Sequence, residues 1–465
     1  MKSPIAQSRF LLLFFALAGV AAILWSLAHY AGAALPSNLL LAGRWLAILV
    51  FCGYAITRRS LTVWITAGIF VGAEIGHDWP LFAANLQVLS GIFLRLIKNI
   101  IAPLVFSTLV VGIAGHSNLK QVGRMGVKAL LYFELVTTVA LFIGLGAINF
   151  SKAGVGVTPT AVTSQPVQAA KQTTTDLILH VFPENIADSI ARGQVLQVVV
   201  FAIIFGIALA QVQEKRRRMV LEFFEGVSET MFKFTNIVML FAPIGVAGAM
   251  AYTIGTMGFG VLTNLLKLVA ILYAALIVFI LCVFVPVALL ARLPLRRFAQ
   301  AVLEPASIAF ATASSEAALP RAMESMEEFG VPRQIVAFVM PTGYSFNLDG
   351  STLYLSLASV FVAQAAGIHL SFGQQLLMVF TLMLTSKGVA GVPRATLVIL
   401  LGTVDSFHLP SWPIFIILGV DQFMDMARTT VNVVGNCLAT AVIARWEGEL
   451  GAPAASAASV DAMAL

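Results

Sequence analysis

The polar residues with the clearest spacing lie near the end of the sequence, inside an apolar stretch. Asp421, Asp425, Arg428, Asn432 and Asn436 follow one another at steps of 4, 3, 4 and 4 residues. Because a helix has about 3.6 residues per turn, this spacing places all five on one helix face. Each charge at mid-membrane costs roughly 3 kcal/mol on insertion scales, so the stripe indicates a functional site. A structural ion-pair network that holds helices together is the alternative.

An arginine beside a carboxylate suits a particular kind of ligand. The planar guanidinium of Arg428 matches a carboxylate in bidentate fashion. The carboxylate of Asp425, about one turn away, suits an ammonium group. Together the two residues predict a receptor for an acidic amino acid, in which Arg428 binds the side-chain carboxylate and Asp425 the α-amino group.

A second polar segment precedes the stripe in the chain. Asn347, Asp349 and Gly350 are poor helix formers, so the sequence predicts that a membrane helix unwinds here. Freed backbone carbonyls and the Asp349 carboxylate would supply oxygen ligands for a cation. A kink whose backbone groups are satisfied locally is the alternative.

Two shorter motifs could contribute to a binding site, the first by contacting an anion and the second by forming a flexible gate over the ligand. Ser314, Ser315 and Glu316 could open a short helix whose amides and hydroxyls hold an anionic group, although a helix cap gives the same pattern. Gly388 and Gly391 would let the backbone approach a ligand and bend. Glycine is also frequent in ordinary membrane helices, so neither motif is specific alone.

The surrounding elements read as membrane helices. Hydrophobic residues make up 59% of the 465 residues and charged residues 11%, against about 25% charged in soluble domains. A spanning helix needs about 20 apolar residues, and such runs recur at residues 10–30, 39–56, 61–75, 92–114, 129–148, 195–210, 232–252 and 262–291. The fold class predicted is an all-α integral membrane protein in a lipid bilayer.

Charge gives the orientation. The net charge of +6 comes from short basic clusters that fall on one side of the predicted spans, which indicates the cytoplasm and places the N-terminus there. No nucleic-acid partner is predicted. The first run resembles a signal peptide, but its length favours a retained N-terminal helical pair. Residues 154–175 are predicted to form an external loop.

Two later segments are interrupted by polar or helix-breaking residues. Residues 298–328 carry Ser, Thr and Glu at their centre, and residues 372–409 are broken by glycines and Pro393. Interrupted apolar segments at corresponding positions point to a transporter binding site. We therefore predict two re-entrant helical hairpins, with true spans at 335–365 and 412–446.

These motifs in this order resemble the glutamate transporter family, the dicarboxylate/amino acid:cation symporters. The matching stretches are 93–109, 314–320, 347–354, 388–393 and 421–436, within a resemblance that covers roughly residues 60–450. The resemblance implies eight family transmembrane helices, two re-entrant hairpins, a homotrimer and elevator-type transport in a bacterial inner membrane. It divides the chain into an extra helical pair (1–59), a mainly scaffold part (60–297), a core transport region (298–450) and a tail (451–465).

The resemblance also implies roles for individual residues. Substrate contacts carried over by motif are Ser315, Val389, Gly391, Asp425, Arg428, Thr429 and Asn432. Cation contacts carried over are Asn347, Asp349, Asn432 and Asn436, and a sodium site would use Asn347, Asp349 and Asn432. Candidate proton carriers are Glu316, Asp349, Asp421 and Glu134.

Two departures from the family pattern bear on the coupling ion, and the presence of Asp425 bears on the substrate. Asn436 stands where sodium-coupled members typically have Asp, and loss of a carboxylate weakens a hard-cation site, so protons are favoured over sodium. Leu355 stands where mammalian relatives have a protonatable Glu. Asp425 is absent from dicarboxylate-specific members, so glutamate or aspartate is expected, with a C4-dicarboxylate (succinate, malate or fumarate) as the alternative.

Other classes of protein fit the sequence less well. The six histidines form no cluster, which gives little support to an intramembrane enzyme. An anion channel remains a weaker alternative, because Asp and Arg can line pores. The three cysteines show no metal or disulfide spacing, and no cofactor is predicted.

Overall fold

The computed structural model describes residues 4–30, 36–58, 60–114, 121–157, 182–191, 195–386 and 395–451. Within these ranges the chain is helical and contains no strand, so the predicted all-α class is confirmed. Most of the predicted external loop, the substrate contacts predicted at Val389 and Gly391, and residues 452–465 of the predicted tail lie outside the described residues.

The described helices follow one another in this order: α1 (Pro4–Tyr30), α2 (Ser37–Arg58), α3 (Leu61–Asp78), α4 (Pro80–Asn85), α5 (Gln87–Ala114), α6 (Gln121–Ser151), α7 (Ile186–Ala191), α8 (Val195–Ala210), α9 (Glu214–Met239), α10 (Ala242–Met257), α11 (Gly260–Phe279), α12 (Val285–Leu290), α13 (Leu295–Thr312), α14 (Ser315–Phe329), α15 (Arg333–Phe346), α16 (Asp349–Ala365), α17 (Phe372–Thr385), α18 (Ala395–Ser406) and α19 (Trp412–Glu447). A π-helical turn, Ile280–Phe284, joins α11 to α12 without a break.

Several of these helices are long and apolar enough to cross a membrane. In the described part of the chain, by length and composition alone, they are Arg9–Ala28, Ser37–Arg58, Pro80–Val111, Met125–Ser151 and Gly260–Leu290. The first two contain most of the runs predicted at 10–30 and 39–56. A sixth candidate is the pair α9 and α10, which is bent by 49°.

The bend between α9 and α10 differs from the prediction of one continuous run at 232–252. The helix stops at Met239, and α10 starts after Leu240 and Phe241. Pro243 lies in the first turn of α10, where its missing N–H leaves no hydrogen bond unmade. Apolar periodicity alone did not reveal this break.

A stripe of glycines joins α3 to α10. Gly68, Gly72 and Gly76 are each one helical turn apart, and a Cβ on any of them would lie 2.2–2.7 Å from a backbone carbonyl oxygen of α10. Only hydrogen fits in that gap, so these two helices are in direct backbone contact.

Two helical pairs lie in the second half of the chain, where interrupted segments were predicted. α13 and α14 pack against each other and are joined by Ala313, in the left-handed region at φ 50°, and Ser314. The Ser314 hydroxyl caps α14 by accepting a hydrogen bond from Ala317 N at 3.3 Å. α17 and α18 form the second pair, and the segment between them lies outside the described residues.

The last long helix, α19, runs through the centre of the protein. It packs against α10, α11, α13, α14, α15 and α16, and nearly all of its residues are buried. At its end Arg445 donates hydrogen bonds to the carbonyl oxygens of Ala291 and Arg292, both at 3.2 Å. This central position puts the polar stripe of α19 inside the protein rather than against lipid.

Candidate functional site

The polar stripe predicted on the last helix lies on α19, and all five of its residues are buried. Arg428 and Asp421 are both 0% exposed. Buried charges at this depth require partners, since desolvation of an isolated ion costs several kcal/mol. The contacts of Arg428 show how that requirement is met.

Arg428 bridges two carboxylates of its own helix. Its Nη1 and Nη2 donate to Asp421 Oδ1 and Oδ2 at 2.9 and 3.4 Å, and its Nε donates to Asp425 Oδ1 at 2.9 Å. The ion pairs therefore lie within α19 and do not join it to another helix. The structural alternative required ion pairs between helices. With both carboxylates ionised, one guanidinium and two carboxylates would give the cluster a net negative charge.

Tyr354 of α16 completes this cluster. The Arg428 Cζ lies 4.3 Å from the centre of the Tyr354 ring, and the Tyr354 hydroxyl lies 3.3 Å from Asp421 Oδ1, to which it donates. A desolvated cation–π contact is worth about 2 kcal/mol. Sequence analysis did not single out this residue, although a tyrosine about one turn after the predicted unwound segment was a usable signal.

Thr429 and Asn432 extend the cluster toward α16. The Thr429 hydroxyl donates to Asp425 Oδ1 at 3.3 Å. Asn432 Oδ1 accepts from the backbone N–H groups of Gly350 and Ser351 at 2.8 and 3.2 Å, and its Nδ2 donates to Ser351 Oγ at 2.9 Å. Asn432 therefore caps the start of α16, whose first amides have no partner within the helix.

The unwound segment predicted near Asn347 is confirmed. α15 ends at Phe346 and α16 begins at Asp349, so Asn347 and Leu348 lie between two helices. This break lies at the level of the α19 stripe, because Asn347 Nδ2 donates to Asn436 Oδ1 at 3.2 Å.

Oxygen atoms converge around this break. A Cβ on Gly435 would lie 2.2 Å from Asp349 Oδ2, which places the Asp349 carboxylate directly against α19 beside Asn436. Within the described ranges, the buried Asn347 Oδ1 has no hydrogen-bond partner. Because buried polar atoms are rarely left unsatisfied, such an oxygen fits a cation ligand. The oxygen atoms of Asn347 and Asp349 could therefore contribute to a cation site, and of these two residues only Asp349 can bind a proton.

The remaining predicted residues lie apart from these two clusters or outside the described chain. Ser315 and Glu316 are the first two residues of α14, which packs against α19; Ser315 is buried. Glu134 is half-buried on α6. The structure thus brings together Asp421, Asp425, Arg428 and Thr429 in one cluster and Asn347 and Asn436 beside Asp349 in a second, and Asn432 lies between the two at the start of α16.

The fold and the site define a class. A helical chain with several helices of membrane length and a buried, charged centre is a multi-pass membrane protein with a polar interior. Comparisons with known proteins then identify the family within that class.

The sequence profile of the sodium:dicarboxylate symporter family matches residues 61–446. The proton/sodium-glutamate symport protein of Bacillus caldotenax is 42% identical over 398 residues, which cover 84% of this chain and 94% of that protein. The proton/glutamate-aspartate symporter of Escherichia coli (strain K12) is 43% identical over 396 residues, 82% of this chain and 90% of that protein.

A relative that is named for a different substrate is equally similar. The C4-dicarboxylate transport protein of Burkholderia ambifaria (strain MC40-6) is 42% identical over 400 residues, 84% of this chain and 93% of that protein. The chain belongs to the sodium:dicarboxylate symporter family. It is a cation-coupled symporter and not an enzyme.

Proposed function

We propose that this chain moves an acidic amino acid, glutamate or aspartate, into the cell together with protons. The observation that carries the proposal is the buried pair of Asp425 and Arg428, joined at 2.9 Å on the central helix. A guanidinium recognises a carboxylate, and an adjacent carboxylate recognises an ammonium group. Every α-amino acid carries an ammonium and a carboxylate, but an acidic amino acid has a second carboxylate in its side chain, which Arg428 would bind while Asp425 binds the α-ammonium group.

Substrate binding exchanges one set of partners for another. Without substrate, Asp421 and Asp425 compensate the charge of Arg428, so no lone cation is buried. A substrate carboxylate would take the place of Asp425 on Arg428. Asp425 would then turn to the substrate ammonium, and Tyr354 and Asp421 would hold the guanidinium in place. Ser315, Thr429 and Asn432 would contact the substrate around this centre, as would the predicted residues Val389 and Gly391.

Cation coupling follows from the charge balance of the site. The cluster carries one guanidinium and two carboxylates, and an acidic amino acid adds a further net negative charge. Burying that excess is unfavourable unless cations bind with the substrate. Asn347, Asp349 and Asn436 are close enough to act together in this role.

Protons are proposed as the coupling ion because Asn436 supplies an amide rather than a carboxylate beside Asn347. Glu316, Asp349 and Asp421 are the candidate proton carriers in or beside the site, and Glu134 is a more distant one. The alternative is a sodium ion held by Asn347, Asp349 and Asn432. That alternative has the advantage that Asn347 Oδ1 is buried without a hydrogen-bond partner in the described part of the chain.

A C4-dicarboxylate such as succinate is the second candidate substrate. It is favoured by the relative from Burkholderia ambifaria, which is as similar to this chain as the glutamate symporters are. Asp425 argues against it, because a plain dicarboxylate has no ammonium and would face a carboxylate at close range. An anion channel is a weaker alternative.

The proposed architecture has eight family helices, two re-entrant hairpins (α13–α14 and α17–α18) and the N-terminal pair α1–α2. It would assemble as a homotrimer in a bacterial inner membrane with a cytoplasmic N-terminus. Residues 60–297 would form mainly the fixed scaffold and residues 298–450 the part that carries substrate. Support comes from the packed α13–α14 pair, the distribution of basic clusters and the bacterial relatives.

The test is uptake of labelled aspartate, glutamate and succinate into proteoliposomes, with proton and sodium gradients imposed separately. Amino-acid uptake driven by a proton gradient alone is expected. A strict requirement for sodium would overturn the choice of coupling ion. Uptake of succinate without either amino acid would overturn the role given to Asp425.

A further inference from the structure

The helical pair α1–α2 precedes the family match, which begins at residue 61. Neither the match nor the proposed transport site therefore accounts for it. In the structure the pair is not isolated, because α2 contacts α3 at two places and α1 joins the second of them through Phe14. These contacts allow a role to be assigned.

The first contact is polar. Arg44 of α2 forms ion pairs with Glu74 and with Asp78 of α3, the latter at 2.6 Å, and Trp45 Nε1 donates to Asp78 Oδ2 at 2.9 Å. The side chains of Glu74 and Asp78 are only 12% and 7% exposed. Two such buried carboxylates need a counter-ion, and Arg44 supplies it. We name these four residues the Arg44 lock.

The second contact is aromatic. Phe51 of α2 lies 4.9 Å from Phe14 of α1 and 5.2 Å from Phe70 of α3, and the Phe14 and Phe70 rings are 5.7 Å apart, all between ring centres. Aromatic contacts of this kind add about 0.5–1.5 kcal/mol each beyond burial in soluble proteins. Both helices of the pair are therefore attached to α3.

The opposite side of α3 is held by another helix. Phe70, Glu74 and Asp78 each lie two positions after a glycine of the stripe that touches α10. Two positions correspond to about 200° around a helix, so the lock and the stripe are on opposite faces. α2, α3 and α10 thus form three successive layers, which we call the α2–α3–α10 wall.

The wall touches the α13–α14 hairpin at its tip. Thr62 Oγ1, in the first turn of α3, donates to the carbonyl oxygen of Thr312, the last residue of α13, at 3.3 Å. α14 begins three residues later at Ser315, one of the predicted substrate contacts. α3 is therefore in direct contact with the tip of the α13–α14 hairpin.

We propose that the α1–α2 pair contributes to transport by positioning α3. The Arg44 lock fixes the α2–α3–α10 wall, and the α13–α14 hairpin moves against this wall. The lock sets the rate of transport and leaves substrate affinity unchanged, because none of its residues belongs to the site on α19. Arg44 is a positioning residue in this scheme. The inferred effect on the transport rate rests on the proposed function. The effect of the Arg44 lock on the stability of the protein does not.

The test compares three variants of the full chain in proteoliposomes and in detergent. Arg44→Glu places three carboxylates together, so we expect the maximal uptake rate to fall about threefold or more at unchanged KM. The melting temperature is expected to fall by about 5 °C. Arg44→Glu combined with Glu74→Arg reverses the pair and should restore both. The matched control is Arg58→Glu, because Arg58 lies on the same helix and donates only to Tyr54 of that helix in the described contacts.

Each outcome bears on the proposal. An unchanged rate in Arg44→Glu, an effect on KM alone, or a reversed pair that inserts but restores neither quantity would overturn it. If Arg44→Glu does not accumulate, Trp45→Phe removes one hydrogen bond of the lock, and a smaller fall in rate is expected from it. If the wild type takes up none of the tested substrates, the proposed substrate fails, while the melting temperatures still decide whether the lock exists.

Discussion

Arg428 is the residue on which, in the proposed function, both the stability of the site and its selectivity depend. It is fully buried, contacts two carboxylates and lies over the face of Tyr354. A point charge of the same sign could satisfy part of this environment, but only a planar fork can bind a carboxylate while keeping Asp421. The geometry of the guanidinium, and not its charge alone, is therefore what the site uses.

The first prediction tests that geometry. Arg428→Lys retains the charge and should insert normally, but uptake of acidic substrates should fall at least about tenfold, since bidentate pairing is lost. Arg428→Ala should abolish uptake. Uptake by reconstituted protein is measured after insertion has been checked, with Arg445→Lys on the same helix as the control. Retained uptake in Arg428→Ala would show that another group binds the substrate carboxylate.

The second prediction separates the two substrate classes. Asp425→Asn keeps the shape of the side chain and an oxygen that can accept from Arg428, but it loses the charge that an ammonium requires. Loss of a charged hydrogen bond is worth about 1.5–3 kcal/mol, so aspartate uptake should fall about 10- to 100-fold. Binding of succinate, measured by competition, should be unchanged or stronger. Equal loss of both ligands would refute the assignment of Asp425 to the α-amino group.

At the scale of the helices, a break was predictable from the sequence where the residues at the break strongly disfavour helix. Asn347, Asp349 and Gly350 indicated the unwound segment correctly, and the structure ends α15 there. The break before Pro243 was missed because the apolar run continues through it. The glycines of α3 were also missed, since a glycine stripe gains its meaning only from the partner helix it touches.

The third prediction concerns the contact between α3 and α10. A Cβ on Gly72 would lie 2.2 Å from the carbonyl oxygen of Ala247, so Gly72→Ala must push two backbones apart. Overpacking of this kind costs about 1–3 kcal/mol, which corresponds to a fall of several degrees in melting temperature. Gly146→Ala on α6 is the matched control, because nothing lies within 4 Å of its Cβ position. A melting temperature equal to that of the control would mean that the two helices are not in backbone contact.

At the scale of the whole molecule, composition and the order of the motifs were enough to predict an all-helical membrane protein of this family. The α19 stripe was predictable because its spacing is a local property of one helix. Tyr354 and Ser351 were missed: their position just after the unwound segment was a usable signal, but their contacts come from α16 packing against α19. Overall sequence similarity does not decide the substrate either, because relatives named for glutamate and for C4-dicarboxylates are equally similar to this chain.

The fourth prediction asks which ion drives the whole transport cycle. Asn436→Asp replaces an amide by a carboxylate. In the structure Asn436 Oδ1 lies 3.2 Å from Asn347 Nδ2, and the Asp349 carboxylate lies against the neighbouring Gly435. A second carboxylate strengthens an oxygen site for a hard cation and makes it less favourable to leave that site empty. Uptake by this variant should therefore become stimulated by sodium at fixed pH, whereas the wild type should respond to the proton gradient.

The comparison is made in proteoliposomes in two series, one with sodium varied and the proton gradient held at zero, and one with the proton gradient varied in the absence of sodium. Asn149→Asp is the control, because Asn149 lies at the end of α6 and its side chain bonds to Gln375 rather than to the site. Sodium stimulation in the Asn436 variant alone would tie the coupling ion to one amide on α19. Sodium dependence already present in the wild type would instead mean that Asn347, Asp349 and Asn432 hold the ion without a carboxylate at 436. The net negative charge of the Arg428 cluster would then be balanced by sodium rather than by protons, with the same substrate chemistry.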